Sequence, residues 1–115
     1  MGTHTWFTKD GNLHLEYIEK RDSFNDDTTL GEYNKWMTIH SENEDDDYFN
    51  LFRASGPQDN WEYLDNVYLR SYEDTMEFIN NPYHQVREGD YSWEEGMRLL
   101  KEYWEKYPNG LIYFG

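Results

Sequence analysis

An amphipathic helix pattern near the carboxyl end constrains the fold of this chain more than any other feature. Its apolar residues recur three or four positions apart, the spacing of one helix face: Trp93, Met97, Leu100, Trp104 and Tyr107. Ser92 and Glu95 form a capping box at its start, and Pro108 follows its end. The pattern predicts a helix over residues 93–107. Its aromatic stripe must be buried against other elements, which predicts a packed domain.

The supply of aromatic side chains is large enough for such a core. Phe, Trp and Tyr together make up 22 of the 115 residues, and each buries about 150–250 Å² when it enters a core. The chain has no cysteine, which excludes a disulfide scaffold, a cysteine-ligated zinc site and thiol catalysis. No linker or internal repeat interrupts the sequence. We therefore expect a single domain over residues 1–115.

A first β-hairpin is predicted at the amino end. Residues 3–8 and 13–19 are rich in aromatic and β-branched side chains, and Asp10-Gly11 between them is a hairpin turn signal. The register set by this turn would place one group of side chains on the inward face: Trp6, Leu13, Leu15 and Tyr17.

A second hairpin is predicted in the middle of the chain. Residues 20–34 are polar and aperiodic and contain Gly31 as a break, which predicts a loop, with room for one helical turn. Residues 35–41 and 48–53 show strand patterns on either side of residues 42–47, which we call the acidic run. We expect the acidic run to lie in water, because burial of unpaired charge is unfavourable. Residues 55–60 are turn formers.

The second half of the chain completes an α+β pattern. Residues 61–70 predict a strand near their end, and Ser71 followed by acidic residues predicts a helix over residues 72–80. Residues 111–114 predict a buried terminal strand. We expect an antiparallel sheet of about four or five strands, covered on one face by the two helices 72–80 and 93–107.

The net charge excludes two classes of partner. Asp and Glu number 24 against 10 Lys and Arg, which gives a net charge of −14 and a pI of about 4.4. Nucleic-acid phosphates and anionic membrane surfaces are bound through Lys and Arg, so both would repel this chain. Neither a secretory leader pattern nor a membrane-spanning apolar run is found. We expect a cytoplasmic protein.

The usual signatures of catalysis and metal binding are missing. The histidines show no metal-ligand spacing and are expected at separate places: His4, His14, His40 and His84. An EF-hand alignment of the acidic run puts Tyr48 at the glycine position and Ala54 at the bidentate glutamate position, so it fails. Phosphate-binding loops and nucleophile motifs are also absent. We predict no catalytic residue, no metal and no cofactor, and therefore a protein that is not an enzyme.

The acidic residues are concentrated in the middle third of the chain. Residues 41–80 carry eleven acids and two arginines, a net charge of −9. A continuous negative surface would attract a basic protein partner. The predicted partner-binding residues are the eleven acids: Glu42, Glu44, Asp45, Asp46, Asp47, Asp59, Glu62, Asp65, Glu73, Asp74 and Glu77. The alternative is a solvated face that keeps the protein soluble.

In size, acidity and lack of cysteine, the chain resembles small phage-encoded proteins that block host defence nucleases, including DNA-mimicking anti-restriction and anti-CRISPR proteins. The acidic run and the acids through Glu77 carry this resemblance, and residues 81–115 add nothing to it. The resemblance implies a non-enzymatic inhibitor that occupies a basic nucleic-acid groove of a host enzyme, in the bacterial cytoplasm.

Two alternatives stay open beside this resemblance. The aromatic richness equally suits an immunity protein that neutralises a bacterial toxin, which is another acidic class. A small hydrolase or ligand-binding domain would use His4, His40 or His84 together with carboxylates.

Overall fold

The sheet is assembled around the first strand of the chain. In the computed structural model, which describes residues 3–54 and 67–114, strand β1 (Thr3–Thr8) lies in the middle of a five-stranded sheet. The other strands are β2 (Phe52–Ala54), β3 (Val67–Leu69), β4 (Arg87–Glu88) and β5 (Leu111–Phe114). Their order is β3-β5-β1-β2-β4, and every neighbouring pair is antiparallel. The predicted α+β class and antiparallel sheet are confirmed.

Four helices form in the described part of the chain. They are α1 (Gly11–Ser23), α2 (Leu30–Asn43), α3 (Tyr72–Asn80) and α4 (Trp93–Lys106). The predicted helices over residues 72–80 and 93–107 are confirmed as α3 and α4, whereas α1 and α2 are additional. None of the described helices is long and apolar enough to cross a lipid bilayer.

The predicted first hairpin is wrong, because its second strand is helix α1. Asp10 caps this helix: its Oδ1 accepts the backbone N–H groups of Asn12 (3.0 Å) and Leu13 (3.1 Å). An Asp before Gly suits a helix N-cap as well as a hairpin turn, and here the cap forms. Leu15, expected on the inward face, is 40% exposed.

The predicted loop over residues 20–34 is confirmed only for residues 24–29, and the predicted strand over 35–41 is wrong. Helix α2 begins inside the predicted loop, at a capping box in which Thr29 Oγ1 accepts from the N–H of Glu32 and the Glu32 carboxylate accepts from the N–H of Thr29, both at 3.1 Å. This signal was present in the sequence as Thr29-x-x-Glu32. Helices α1 and α2 form a helical hairpin joined by residues 24–29.

The core lies between one face of the sheet and helices α3 and α4. Phe7 is 2% exposed, and its ring meets that of Tyr103 on α4 at 4.9 Å between centroids. Phe114 on β5 meets Phe78 on α3 at 4.6 Å. The side chains of β1 alternate between the two faces, so Trp6, which we expected to face inward, lies on the opposite face instead.

The opposite face of the sheet is covered by the helical hairpin. Trp6 and Tyr113, which are register partners on β1 and β5, stack there at 6.0 Å. His14 from α1 packs on Tyr113 with centroids 4.6 Å apart. Both faces of the sheet are therefore covered, not one.

The predicted second hairpin does not form in the region that the structure describes. Asp46–Tyr48 is a 3₁₀ turn, and of the expected strand over residues 48–53 only Phe52 and Arg53 are in the sheet, as part of β2. The strand expected near the end of residues 61–70 is confirmed as β3. The turn expected over residues 55–60 lies outside the described residues.

The backbone at Gly89 lies against the backbone of Asn50 and Leu51. Gly89 N–H donates to Leu51 O (3.2 Å) and Asp90 N–H donates to Asn50 O (2.9 Å), so a Cβ added at Gly89 would overlap the Asn50 carbonyl. We expect Gly89→Ala to lower the free energy of unfolding, measured in urea, by about 2 kcal/mol or more.

The matched control is Gly31→Ala in α2, where an added Cβ meets open space. This change should raise the free energy of unfolding by about 0.5–1 kcal/mol, because alanine loses less backbone entropy than glycine in a helix. Equal effects of the two substitutions would contradict the packing described for Gly89.

Candidate functional site

The acidic run is attached to the central strand and is not the tip of a hairpin. It begins in the last turn of α2 and then meets the end of β1, where Asp45 N–H donates to Phe7 O (2.9 Å) and Lys9 N–H donates to Asn43 O (2.8 Å). An isolated β-bridge also pairs Thr8 with Glu44. These backbone contacts hold Asn43, Glu44 and Asp45 against the end of β1.

Two of the predicted partner-binding acids are turned inward, which corrects the expectation that the whole run lies in water. Asp45 is only 8% exposed. Its Oδ2 accepts the hydroxyl of Tyr107 at 2.7 Å, and its Oδ1 accepts the N–H of Asp47 at 3.1 Å. Glu44 is half-buried and accepts the Tyr113 hydroxyl at 3.3 Å. Both carboxylates are satisfied by groups of distant elements, which makes their burial tolerable.

The other described acids of the predicted site are exposed and fall on two elements. Glu42, Asp46 and Asp47 belong to the acidic run. The second group is on α3 and consists of Glu73, Asp74 and Glu77. Asp59, Glu62 and Asp65 lie outside the described residues. Within the described residues, none of these six exposed carboxylates enters an ion pair.

The surroundings of the two exposed groups differ. Beside the acidic run, the ammonium of Lys106 lies over the rings of Tyr48 (5.8 Å) and Tyr107 (5.2 Å), and the charges of Asp45 and Asp47 help to raise the pKa of Lys106, after the larger effect of Tyr107. On α3, Asp74 and Glu77 line a small cleft of about 240 Å³ together with His84.

Two histidines that we expected to be separate meet in one aromatic cluster. We call it the His14–His40 cluster; its members come from α1, α2, the acidic run and the sheet: His14, Tyr17, Trp36, His40, Glu44, Tyr68 and Tyr113. The rings of His14 and His40 are 5.5 Å apart, and Tyr17 stacks on His40 at 3.6 Å. This cluster was not predicted, because the residues of both helices had been expected in strands and a loop.

Hydrogen bonding and burial set the protonation of the His14–His40 cluster. His40 Nε2 lies 3.0 Å from Glu44 Oε1, and this hydrogen bond is the main cause that lowers the pKa of Glu44. Burial, followed by the charge of Glu44, raises the pKa of Tyr113. Burial also lowers the pKa of His14 to about 4, with a further contribution from His40. His14 is therefore neutral at pH 7.

The chemistry of this cluster suits packing better than metal binding or catalysis. Among the described residues, no three His, Cys, Asp or Glu side chains come close enough to hold a metal ion. The groups around the His40–Glu44 pair are largely aromatic rings, and the Nδ1 atoms of His14 and His40 are buried without a hydrogen-bond partner in the described structure. The cluster fixes the base of the helical hairpin to the sheet.

The other two histidines have structural contacts of their own. His4 Nδ1 lies 3.1 Å from Asn50 Oδ1, and its ring stacks on Phe49 at 5.9 Å. His84 Nδ1 lies 2.9 Å from the carbonyl oxygen of Phe78, on whose ring the imidazole stacks at 3.9 Å.

The far end of the helical hairpin exposes apolar side chains and forms two clefts. Leu30 is 74% exposed, and Tyr33 and Ile39 are each 43% exposed. One cleft, of about 380 Å³, lies between the end of α1 and the side of α2, and we call it the hairpin cleft. Its main lining residues are Lys20, Phe24, Glu32, Lys35, Trp36 and Ile39. A second cleft of about 480 Å³ lies beside it, next to Tyr33. Neither cleft was predicted, because most of this region was expected to be a loop.

The position of His14 predicts how stability depends on pH. The pKa of His14 is about 4 in the folded protein and near 6.5 for an unperturbed imidazole. Between these values the unfolded chain binds more protons, so His14 lowers stability progressively as the pH falls from 6.5 towards 4. We expect the free energy of unfolding of the His14→Phe variant to fall less than that of the wild type over this range. The two decreases should differ by about 1–2 kcal/mol after allowance for solvent screening.

The measurement is urea unfolding of both proteins at pH 7 and pH 4.5. The carboxylates titrate in both proteins, so the difference between the two pH dependences isolates His14. Identical pH dependences would show that His14 is not held neutral by its burial.

Comparison with known proteins finds no match for this chain. No protein-family model matches it, no curated protein matches it, and no solved structure matches it. Two surfaces of the molecule bear on its function, namely the exposed carboxylates and the hairpin cleft.

Proposed function

We propose that the protein is a non-enzymatic binding protein whose exposed carboxylates occupy the basic nucleic-acid-binding site of a nucleic-acid-processing enzyme. The observation that carries this proposal is the set of predicted site acids that are exposed and enter no ion pair within the described residues: Glu42, Asp46, Asp47, Glu73, Asp74 and Glu77. Uncompensated carboxylates create a negative potential that steers a basic partner towards them.

Other acids of the chain are compensated by an ion pair or a hydrogen bond. On α4, the guanidinium of Arg98 bridges Glu95 and Glu102, the latter at 3.2 Å. Asp45 accepts the hydroxyl of Tyr107. Carboxylates with such partners contribute less to the outward field. Asp46 and Asp47 have no ion-pair partner among the described residues. The ammonium of Lys106 lies over the rings of Tyr48 and Tyr107.

The chemistry of the partner follows from this charge. Nucleic-acid-binding grooves carry Lys and Arg that neutralise phosphates, and spaced carboxylates on a folded surface offer the same charges in place of phosphates. A phage-encoded inhibitor of a host defence nuclease is the class that we propose. An immunity protein for a basic toxin would use the same surface, and the identity of the captured partner distinguishes the two.

The structural role of the His14–His40 cluster supports a function without catalysis. His40, the histidine that contacts a carboxylate there, is enclosed by the rings of Tyr17 and His14. The pair stabilises the junction of helical hairpin and sheet. A rigid junction favours binding, because preorganised surfaces lose less entropy on association.

Charge reversal of two neighbouring acids tests the proposal. We expect Asp46→Lys with Asp47→Lys to weaken partner binding at least about tenfold and to reduce its salt dependence. Asp45 is left unchanged, because its contact with Tyr107 belongs to the fold. The control is Asp26→Lys with Asp27→Lys, which changes the net charge equally in the exposed loop between α1 and α2 and should retain most of the affinity.

Partners are first captured from a bacterial lysate on the immobilised protein and identified by mass. Affinities of the variants for the captured enzyme are then measured in increasing salt. Duplex DNA should compete with the protein for this enzyme. The proposal would be overturned if both double variants bound equally well, or if duplex DNA left the complex intact.

A further inference from the structure

The hairpin cleft carries a local charge opposite to that of the rest of the protein. The chain has 24 acids and 10 basic residues, yet the cleft is lined by two lysines, Lys20 and Lys35, and by one acid, Glu32. Neither lysine enters an ion pair in the part of the chain that the structure describes. An acidic protein therefore holds two unneutralised ammonium groups at one concave site.

The single acid of the cleft is committed to the helix that carries it. The Glu32 carboxylate accepts the backbone N–H of Thr29 at 3.1 Å, as the second half of the α2 capping box. It also lies in the first turn of α2, where the helix end favours a negative charge. Glu32 is thus held at the helix end and does not neutralise both lysines.

The floor of the hairpin cleft is aromatic and held in place. Phe24 meets Trp36 edge to face with centroids 4.8 Å apart. Trp36 is stacked in turn on Tyr17 at 3.9 Å with almost parallel rings, and Tyr17 stacks on His40 of the His14–His40 cluster. Ring contacts therefore connect the floor to the sheet, so the apolar surface is formed before any ligand arrives.

We propose that the hairpin cleft binds a small amphiphilic anion, a molecule with an aromatic or acyl body and one carboxylate or sulfonate group. The apolar body would cover Phe24, Trp36 and Ile39, and the anionic group would lie between Lys20 and Lys35. The volume of about 380 Å³ is within the range of small-ligand sites, which combine an apolar lining with a few polar anchors. This site shares no residue with the six exposed carboxylates of the proposed function. It would bind an anion, whereas those carboxylates would bind a basic protein.

A pair of matched fluorescent probes tests this site. Anilinonaphthalene sulfonate is an aromatic anion whose fluorescence rises in apolar sites, and phenylnaphthylamine has the same aromatic body without the sulfonate. We expect the folded protein to bind the sulfonate with one-to-one stoichiometry at low salt. Lys20→Gln with Lys35→Gln should weaken this binding about tenfold and change the binding of the neutral probe less than about twofold.

The control variant is Lys9→Gln with Lys101→Gln, which removes two exposed lysines elsewhere and changes the net charge equally. It should leave the affinity for both probes within about twofold of the wild type. Phe24→Ala should weaken the binding of both probes, because it removes part of the aromatic floor of the hairpin cleft. Circular dichroism and thermal unfolding establish that each variant is folded, and the single changes Lys20→Gln and Lys35→Gln replace the double variant if it is not.

Three results would overturn the proposal. The first is the absence of sulfonate binding to the wild type. The second is an equal loss of sulfonate affinity in the two lysine double variants, which would show a general effect of net charge. The third is an equal loss of affinity for both probes in the double variant Lys20→Gln with Lys35→Gln. It would show that the lysines support the structure of the cleft and do not select an anion.

Discussion

The pairing of β1 with β5 is the interaction on which the rest of the structure depends. It joins the two ends of the chain through four residue pairs, from Thr5 with Phe114 to Thr8 with Leu111. The pair supplies a large part of both faces of the sheet. Phe7 and Ile112 face the core under α3 and α4, whereas Trp6 and Tyr113 face the helical hairpin. The end of β1 also receives the acidic run, so the candidate site and the core are positioned by one strand.

This attachment divides the acidic run into two roles. Backbone contacts hold Asn43, Glu44 and Asp45 at the end of β1, and a 3₁₀ turn begins directly after them. Asp45 is buried against Tyr107 and Glu44 is half-buried against Tyr113, whereas Asp46 and Asp47 remain exposed. The inward acids fix the segment, and the outward acids supply the charge that we propose to meet a basic partner. The helical hairpin adds a second surface, the hairpin cleft, whose two lysines give it a local charge opposite to that of the acidic run.

The sequence predicted the elements whose local signals agreed with one another. Helix α4 combines a Ser92 N-cap with an apolar stripe of helical period, and the terminal strand β5 is a continuous apolar segment. The two errors in the hairpin have a common cause. Around Tyr17 and Trp36, short stretches fit both an alternating and a helical period, and Asp10 before Gly11 suits both a turn and an N-cap. The Thr29–Glu32 capping box marks the start of α2 locally, but it lies within the residues that were predicted as a loop.

The sequence alone determined the charge of the protein, its lack of cysteine, its aromatic supply and the helices that carry their own caps, because these properties depend on composition or on neighbours along the chain. Only the tertiary structure decided which carboxylates face water and which histidines meet. Asp45 is buried because Tyr107, far along the chain, provides a hydrogen bond, and His14 reaches His40 because two helices pack on one face of the sheet. Burial of a polar group depends on partners from distant segments, and no local pattern encodes where those segments meet.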